Sequence, residues 1–244
     1  MDASTLIIAF LFFLAALLYA SVGHGGASAY LAVMTLLGVS PAVMRPTALI
    51  LNMLVAGVGA YTYIRAGRFS WPIFWPFALT SVPMAYLGGR IHLPAHYFEL
   101  LLGIALLFAA LRLLVKPGSG TEPLRPFRFG WALGIGAVLG FVSGLIGIGG
   151  GIFLSPILIF LRWAETRQVS GIAAAFIVVN SASGFLGLLQ SHPPLPTVLP
   201  LWAGVVLAGG WIGAELGSRH LTAPWIRRAL GVVLVIAALR ALVV

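Results

Sequence analysis

Two glycine clusters decide how this chain is read: Gly23-His24-Gly25-Gly26 and Gly147-Ile148-Gly149-Gly150-Gly151. They begin 124 positions apart, and each interrupts a long apolar stretch. Each is trailed by an asparagine within the next apolar stretch, Asn52 lying 29 positions after Gly23 and Asn180 33 after Gly147. A bilayer has no water to satisfy free peptide groups, so irregular backbone at membrane depth survives only beneath protein or beside a wet cavity. A break that occurs twice, once in each half, points to a binding site between repeats of a carrier.

Composition supports that setting. Hydrophobic residues make up 61% of the 244 positions and charged residues 8%, while mean hydropathy is +1.08. A soluble domain carries about a quarter charged residues, so this chain cannot cover a water-facing surface. Eight apolar blocks follow, roughly 4–39, 44–64, 71–89, 97–115, 127–161, 169–190, 197–217 and 224–243. The first and fifth run to about 35 residues, against the ~20 that one crossing needs. They are also the two that carry the glycines. Each reads as a helix, a turn and a shorter returning helix, followed by about three spanning helices. Met1-Asp2-Ala3 lacks the basic start of a secretory signal, and the absence of cysteine excludes disulfide and thiolate chemistry.

The net charge of +9 is confined to block ends: Arg65 and Arg68; Arg112, Lys116, Arg125 and Arg128; Arg162 and Arg167; Arg219, Arg227 and Arg228. No basic face with interleaved aromatics exists, which excludes nucleic acid. Basic loops stay in the cytoplasm, so loops 65–70, 112–128, 162–168 and 218–228 are placed inside, and the weakly charged 90–96 and 191–197 outside. Each broken block must then return to the side it entered. The first half begins outside and the second inside. The expected fold is therefore an all-α polytopic membrane protein of two inverted-topology repeats, residues 1–115 and 129–244, joined by a cytoplasmic linker at 116–128. Arg45, beside the outside loop 40–43, is the residue that fits this scheme worst.

The run from Gly144 to Gly151 with Pro156 following resembles the second-half signature of the TauE/SafE family of sulfite-exporter-like membrane proteins. Ser21-Val22-Gly23-His24-Gly25-Gly26, with Ser40-Pro41 and the run 42–52, resembles the first-half counterpart. The resemblance covers nearly the whole chain. It implies export or uptake of small anions, sulfite and organosulfonates among them. The first half departs from the second: His24 stands opposite Ile148, Ala27 replaces the last glycine, and no proline matches Pro156. The two walls of a site built on these breaks are expected to be chemically unequal.

Candidate substrate-binding residues are Gly23, His24, Gly25, Gly26 and Ser28 at the first break, and Gly147, Gly149, Gly150 and Gly151 at the second. Arg45, Thr47, Asn52, Asn180 and Ser181 join them from the following blocks. Small residues often serve close helix packing, and that reading suits Gly136, Gly140 and Gly144, and Gly209, Gly213 and Gly217. Consecutive glycines disrupt a helix instead, and the helix ends so exposed attract anions through free N–H groups and the helix dipole. Asn52 and Asn180 either donate to an anion or form plain interhelical hydrogen bonds. His24 either charges to hold an anion or proton, or stays neutral and bonded to backbone. Arg45 is either an edge anchor or a positive charge facing the substrate path, since a buried arginine must pair or meet water. Ser143 and Ser183 are nearby hydroxyls of the same kind.

Enzyme chemistry has no foothold. No HExxH or Walker A pattern occurs, nor a nucleophile–His–acid set. His92 and His96 have zinc-pair spacing, but Pro94 lies between them and a third ligand is missing. No metal and no cofactor are expected. The five acids are Asp2, Glu99, Glu122, Glu165 and Glu215, none at a midplane position able to carry sodium or protons. An anion is driven out of a negative-inside cell by about 2.3 kcal/mol per charge per 100 mV, so the inventory favours export without a coupling ion. The expected function is a secondary transporter of the bacterial inner membrane, working by alternating access as one half rocks against the other. An accessory membrane subunit and cation-coupled uptake are the alternatives. Expected partners are a small anionic substrate and the lipid bilayer, with a homodimer left open.

Overall fold

A computed structural model describes residues 3–114, 123–219 and 224–243. Residues 116–122 of the expected linker, Lys116 among them, lie outside the described residues. Among the described residues the chain forms ten α-helices and no strand: α1 (Ala3–Ala20), α2 (Ala27–Leu36), α3 (Pro41–Arg65), α4 (Trp71–Arg90), α5 (Ala95–Leu114), α6 (Phe129–Ile146), α7 (Gly151–Leu161), α8 (Thr166–Leu188), α9 (Leu199–Arg219) and α10 (Pro224–Val243). Both long apolar blocks resolve into a helix, a glycine turn and a shorter helix. Four segments are long and apolar enough to cross a bilayer: Pro41–Arg65, Phe129–Ile146, Gln168–Ser191 and Leu199–Ser218. Large apolar side chains such as Phe10, Leu79, Ile104, Val138 and Phe160 face outward, as lipid requires and water does not.

The breaks are set by backbone geometry. Gly26 and Gly150, each preceding a short helix, have φ of 97° and 76°, a left-handed conformation that costs a side-chain-bearing residue about 1–2 kcal/mol. Ser40 and Pro41 open α3; proline suits the first helical position because its missing N–H would have no partner there.

Packing divides the helices into two lobes that do not follow the chain. One gathers α1, α2, α3, α5, α9 and α10 around Phe12, Tyr30, Leu31, Leu102, Leu106 and Val206, with Ile146, Ile148 and Ile152 of the second break reaching into it. The other gathers α4, α6, α7 and α8 around Phe77, Leu154, Leu158, Trp163 and Phe176. The lobes meet where α3 lies along α8. In sequence terms the halves are intertwined: α4 packs on α6 and α8, while α9 packs on α1 and α3. Glycines permit this closeness. Gly136, Gly140 and Gly144 bring α6 onto the backbone of α4 at Phe77, Ser81 and Ala85, and Gly209, Gly213 and Gly217 bring α9 onto α1 at Phe13, Leu17 and Ser21. A Cβ at any of the six would strike the opposing carbonyl oxygen. Rocking one sequence half against the other would tear both of these interfaces.

Candidate functional site

The two breaks face each other across one side chain. Asn52, on α3 and 1% exposed, accepts from the Ala27 N–H through Oδ1 at 3.2 Å. Its Nδ2 donates to the Ile148 carbonyl at 3.1 Å and to Ser181 Oγ at 3.0 Å. Ala27 opens the helix after the first break, Ile148 lies within the second, and Ser181 is on α8. The amide fits only because both walls lack side chains: a Cβ on Gly25 would collide with Oδ1, and one on Gly149 with Nδ2. The consecutive glycines thus serve close approach as well as turning.

Each break has its own support. In the first, the His24 N–H bonds to the Tyr19 carbonyl at 2.8 Å, Tyr30 donates its hydroxyl to the Gly25 carbonyl at 2.9 Å, and Ser28 donates to the Tyr19 hydroxyl at 2.7 Å. Gly23 (φ 77°) lies against Ser170 of α8. In the second, the Gly147 N–H closes α6 on the Ser143 carbonyl at 2.8 Å, and Gly150 and Gly151 lie against Phe176 and Ile177. A helix leaves its first N–H groups without intrahelical partners. Among the described residues the N–H groups of Gly25, Gly26, Gly149 and Gly150 make no hydrogen bond.

His24 also bridges the lobes. Its Nδ1 lies 3.0 Å from the Val22 carbonyl, which only accepts, so Nδ1 carries a hydrogen. Its Nε2 lies 3.1 Å from Ser155 Oγ on α7, and that hydroxyl is also 2.9 Å from the Gly151 carbonyl. With the ring neutral, Ser155 donates to Nε2. With the ring charged, Nε2 donates to Oγ and Ser155 turns its hydrogen to Gly151. The geometry therefore accepts both protonation states, one hydroxyl rotation apart.

Arg45 has a defined role. The residue is 6% exposed, and its guanidinium donates to the carbonyls of Ile91 at 2.9 Å, Gly88 at 2.7 Å, Gly89 at 3.0 Å and Gly144 at 2.6 Å. These carbonyls belong to the C-terminal ends of α4 and α6, where a cation complements the helix dipoles. Its stem lies over Gly147, and the residue lines a cavity of about 370 Å³ together with Ser40, His92 and Ser191. Its side chain thus joins two helix ends and faces that cavity.

The asparagines are not equivalent. Asn180 donates Nδ2 to the Phe176 carbonyl of its own helix at 2.8 Å, and its buried Oδ1 has no partner. Because Phe176 needs a donor, the atom left free is an acceptor. Thr47 and Ser143 are also buried with unpartnered hydroxyls. Sequence reasoning passed over Tyr19, Tyr30 and Ser155. Tyr30 and Ser155 each stand four residues after a break glycine, Gly26 and Gly151, one helical turn on, where a side chain points back at the break. That spacing was the available signal.

Between the breaks remains a void of about 10 Å³, lined by Tyr19, His24, Asn52, Ile148, Ile152 and Ile177. It holds one water at most. The crossing is closed in this conformation.

A helical bundle with lipid-facing apolar surface and paired broken helices defines the class, an integral membrane transporter. The Sulfite exporter TauE/SafE family model matches residues 8–241, and the chain belongs to that family. It is 40% identical, over 99% of its own length and all of the relative's, to a probable membrane transporter protein of Sinorhizobium fredii. It is 30% identical to a probable membrane transporter protein of Bacillus subtilis, over 82% of this chain and 83% of that one. Against an Arabidopsis thaliana protein named sulfite exporter TauE/SafE family protein 3, identity is 29% over 48% of this chain and 24% of that one. No solved structure matches.

Proposed function

We propose that this protein is a secondary transporter that exports a small oxidised-sulfur anion, sulfite or an organosulfonate, across a bacterial inner membrane. The reading rests above all on the glycine N–H groups left unbonded at the two breaks, which Asn52 ties together. Neutral donors in a dry setting suit an anion's oxygens without the desolvation cost of an opposing charge. None of the residues around the crossing void is acidic. A site lacking carboxylates has no group there to repel an anion, and the membrane potential itself drives the anion outward. Residues 1–115 and 129–244 act as inverted repeats joined by the 116–128 linker, and the breaks form the two walls of the site.

The closed void requires motion, and the lobes supply it. Polar ties that cross their seam include Asn52 to Ile148 and Ser181, His24 to Ser155, and Arg45 to Gly88, Gly89 and Gly144. Parting the lobes exchanges the first two ties for contacts to the anion. Alternating access then follows from opening the seam on one side and closing it on the other. The test is efflux of sulfite, sulfate, thiosulfate and alkyl sulfonates from liposomes containing this protein alone. Export predicts faster efflux of sulfite or a sulfonate under an inside-negative potential. Flux that requires a sodium or proton gradient would show coupled uptake instead, and no flux from folded protein would leave an accessory role.

A further inference from the structure

The segment leading into α6 builds a second site, remote from the breaks. The Arg125 N–H bonds to the Arg162 carbonyl at 2.8 Å, fastening the segment to the end of α7. Phe127 stacks edge-on against Trp163 with ring centroids 5.0 Å apart, and Trp163 is buried. Trp163 walls a cavity of about 360 Å³ lined also by Arg125, Pro126, Arg128, Trp131 and Leu161. Two arginines line it and no acid does. Among the described residues the guanidinium groups of Arg125 and Arg128 form no ion pair or hydrogen bond.

Trp131 also forms the end of an apolar groove of about 730 Å³, bordered by Gly130, Gly134, Val138 and Leu139 on α6 and Ile157 on α7. A Cβ added at Gly130 or Gly134 would meet nothing within 4 Å. These glycines therefore do not serve helix packing, in contrast to Gly136, Gly140 and Gly144 on the same helix. From Gly130 to Leu139 the helix rises about 14 Å, close to half of the ~30 Å hydrocarbon core. Trp131 thus stands between a basic, tryptophan-walled pocket and an apolar groove about as long as one leaflet is deep.

We infer that this is a binding site for one anionic phospholipid of the leaflet that holds the N-terminal end of α6. The phosphate sits between Arg125 and Arg128, the glycerol region lies against Trp131, and one acyl chain lies along Gly130, Gly134 and Val138. Charge complementarity selects the headgroup, since guanidinium pairs with phosphate through two parallel hydrogen bonds. The groove selects a lipid over a soluble phosphate. A lipid held there would brace the 123–128 segment and the end of α7, and hence the second break, against the bilayer.

The experiment measures lipid retention by native mass spectrometry, and thermal unfolding, of the whole protein in detergent. The additions are phosphatidylglycerol, phosphatidylcholine with the same acyl chains, or inorganic phosphate. Phosphatidylglycerol is expected to bind about thirtyfold more tightly than phosphatidylcholine, the equivalent of about 1 kcal/mol for each of two arginines near the surface, and to raise the melting temperature. Phosphate alone should do neither. Arg125→Gln combined with Arg128→Gln should remove the preference between the two lipids. Gly134→Leu, which fills the groove at a position with free space, should weaken retention of both lipids. Equal binding of the two lipids by the wild type overturns the proposal without any variant. So does a full response to phosphate alone, a lipid preference that survives loss of both arginines, or retention unchanged by Gly134→Leu.

Discussion

Replacing Asn52 by alanine tests whether one amide holds the two breaks together. The change removes three hydrogen bonds. Ser181 has an alternative, because a serine hydroxyl on a helix can turn to the carbonyl four residues back. The Ala27 N–H and the Ile148 carbonyl have none. An orphaned buried group costs about 1–3 kcal/mol, whereas side-chain hydrogen bonds between membrane helices average only about 0.6 kcal/mol. Two orphans in the closed crossing should therefore cost about 2–6 kcal/mol. Asn180→Ala is the control. It removes one bond within its own helix and also the unpartnered Oδ1, so its cost should stay below about 1 kcal/mol. The assay is denaturant titration of both variants in mixed micelles, followed by fluorescence of the tryptophans, of which Trp163 and Trp202 are buried. Equal midpoints for the two variants would refute the assignment of Asn52 as the tie.

His24→Gln keeps a hydrogen-bonding group but cannot charge. If the imidazolium holds the anion, transport of a strong-acid sulfonate rises in the wild type as pH falls through the histidine range, and the variant's profile is flat; matching profiles would assign His24 to the Ser155 link alone. Arg45→Lys places one compact ammonium where a planar fork spans four carbonyls, so stability should fall by about 2 kcal/mol, read from the same titration; an unchanged midpoint would contradict the clamp. Gly150→Leu forces a side chain into a left-handed φ of 76° against the Phe176 ring, and liposome flux should be lost while membrane insertion persists. Wild-type flux in that variant would return the glycine to a packing role. Single cysteines at Ser4 and Ser119 in this cysteine-free chain should label from opposite sides of the membrane; labelling from one side would remove the inverted-repeat argument.

Much of the site was legible in the residues. The glycine clusters mark the two turns because consecutive glycines cannot sustain a helix, and the turns fall where the excess length of the blocks required them. The stripes at Gly136–Gly140–Gly144 and Gly209–Gly213–Gly217 announced close helix contacts by their spacing of four. The equivalence of Asn52 and Asn180 was legible only as placement. Their partners differ because one faces both breaks and the other faces its own helix.

Hydropathy, block length and glycine runs determine the membrane class, the helical content and the position of each break, since these depend on transfer energies and backbone freedom along a short stretch of chain. Only the tertiary structure decides that α4 belongs with α6, that Arg45 clamps two helix ends, and that His24 meets Ser155. That last pair is 131 positions apart. Such pairings follow from which helix faces come together in the bundle. Lipid accepts any apolar face, so hydrophobicity cannot choose among them; close packing at glycines and a few hydrogen bonds make the choice.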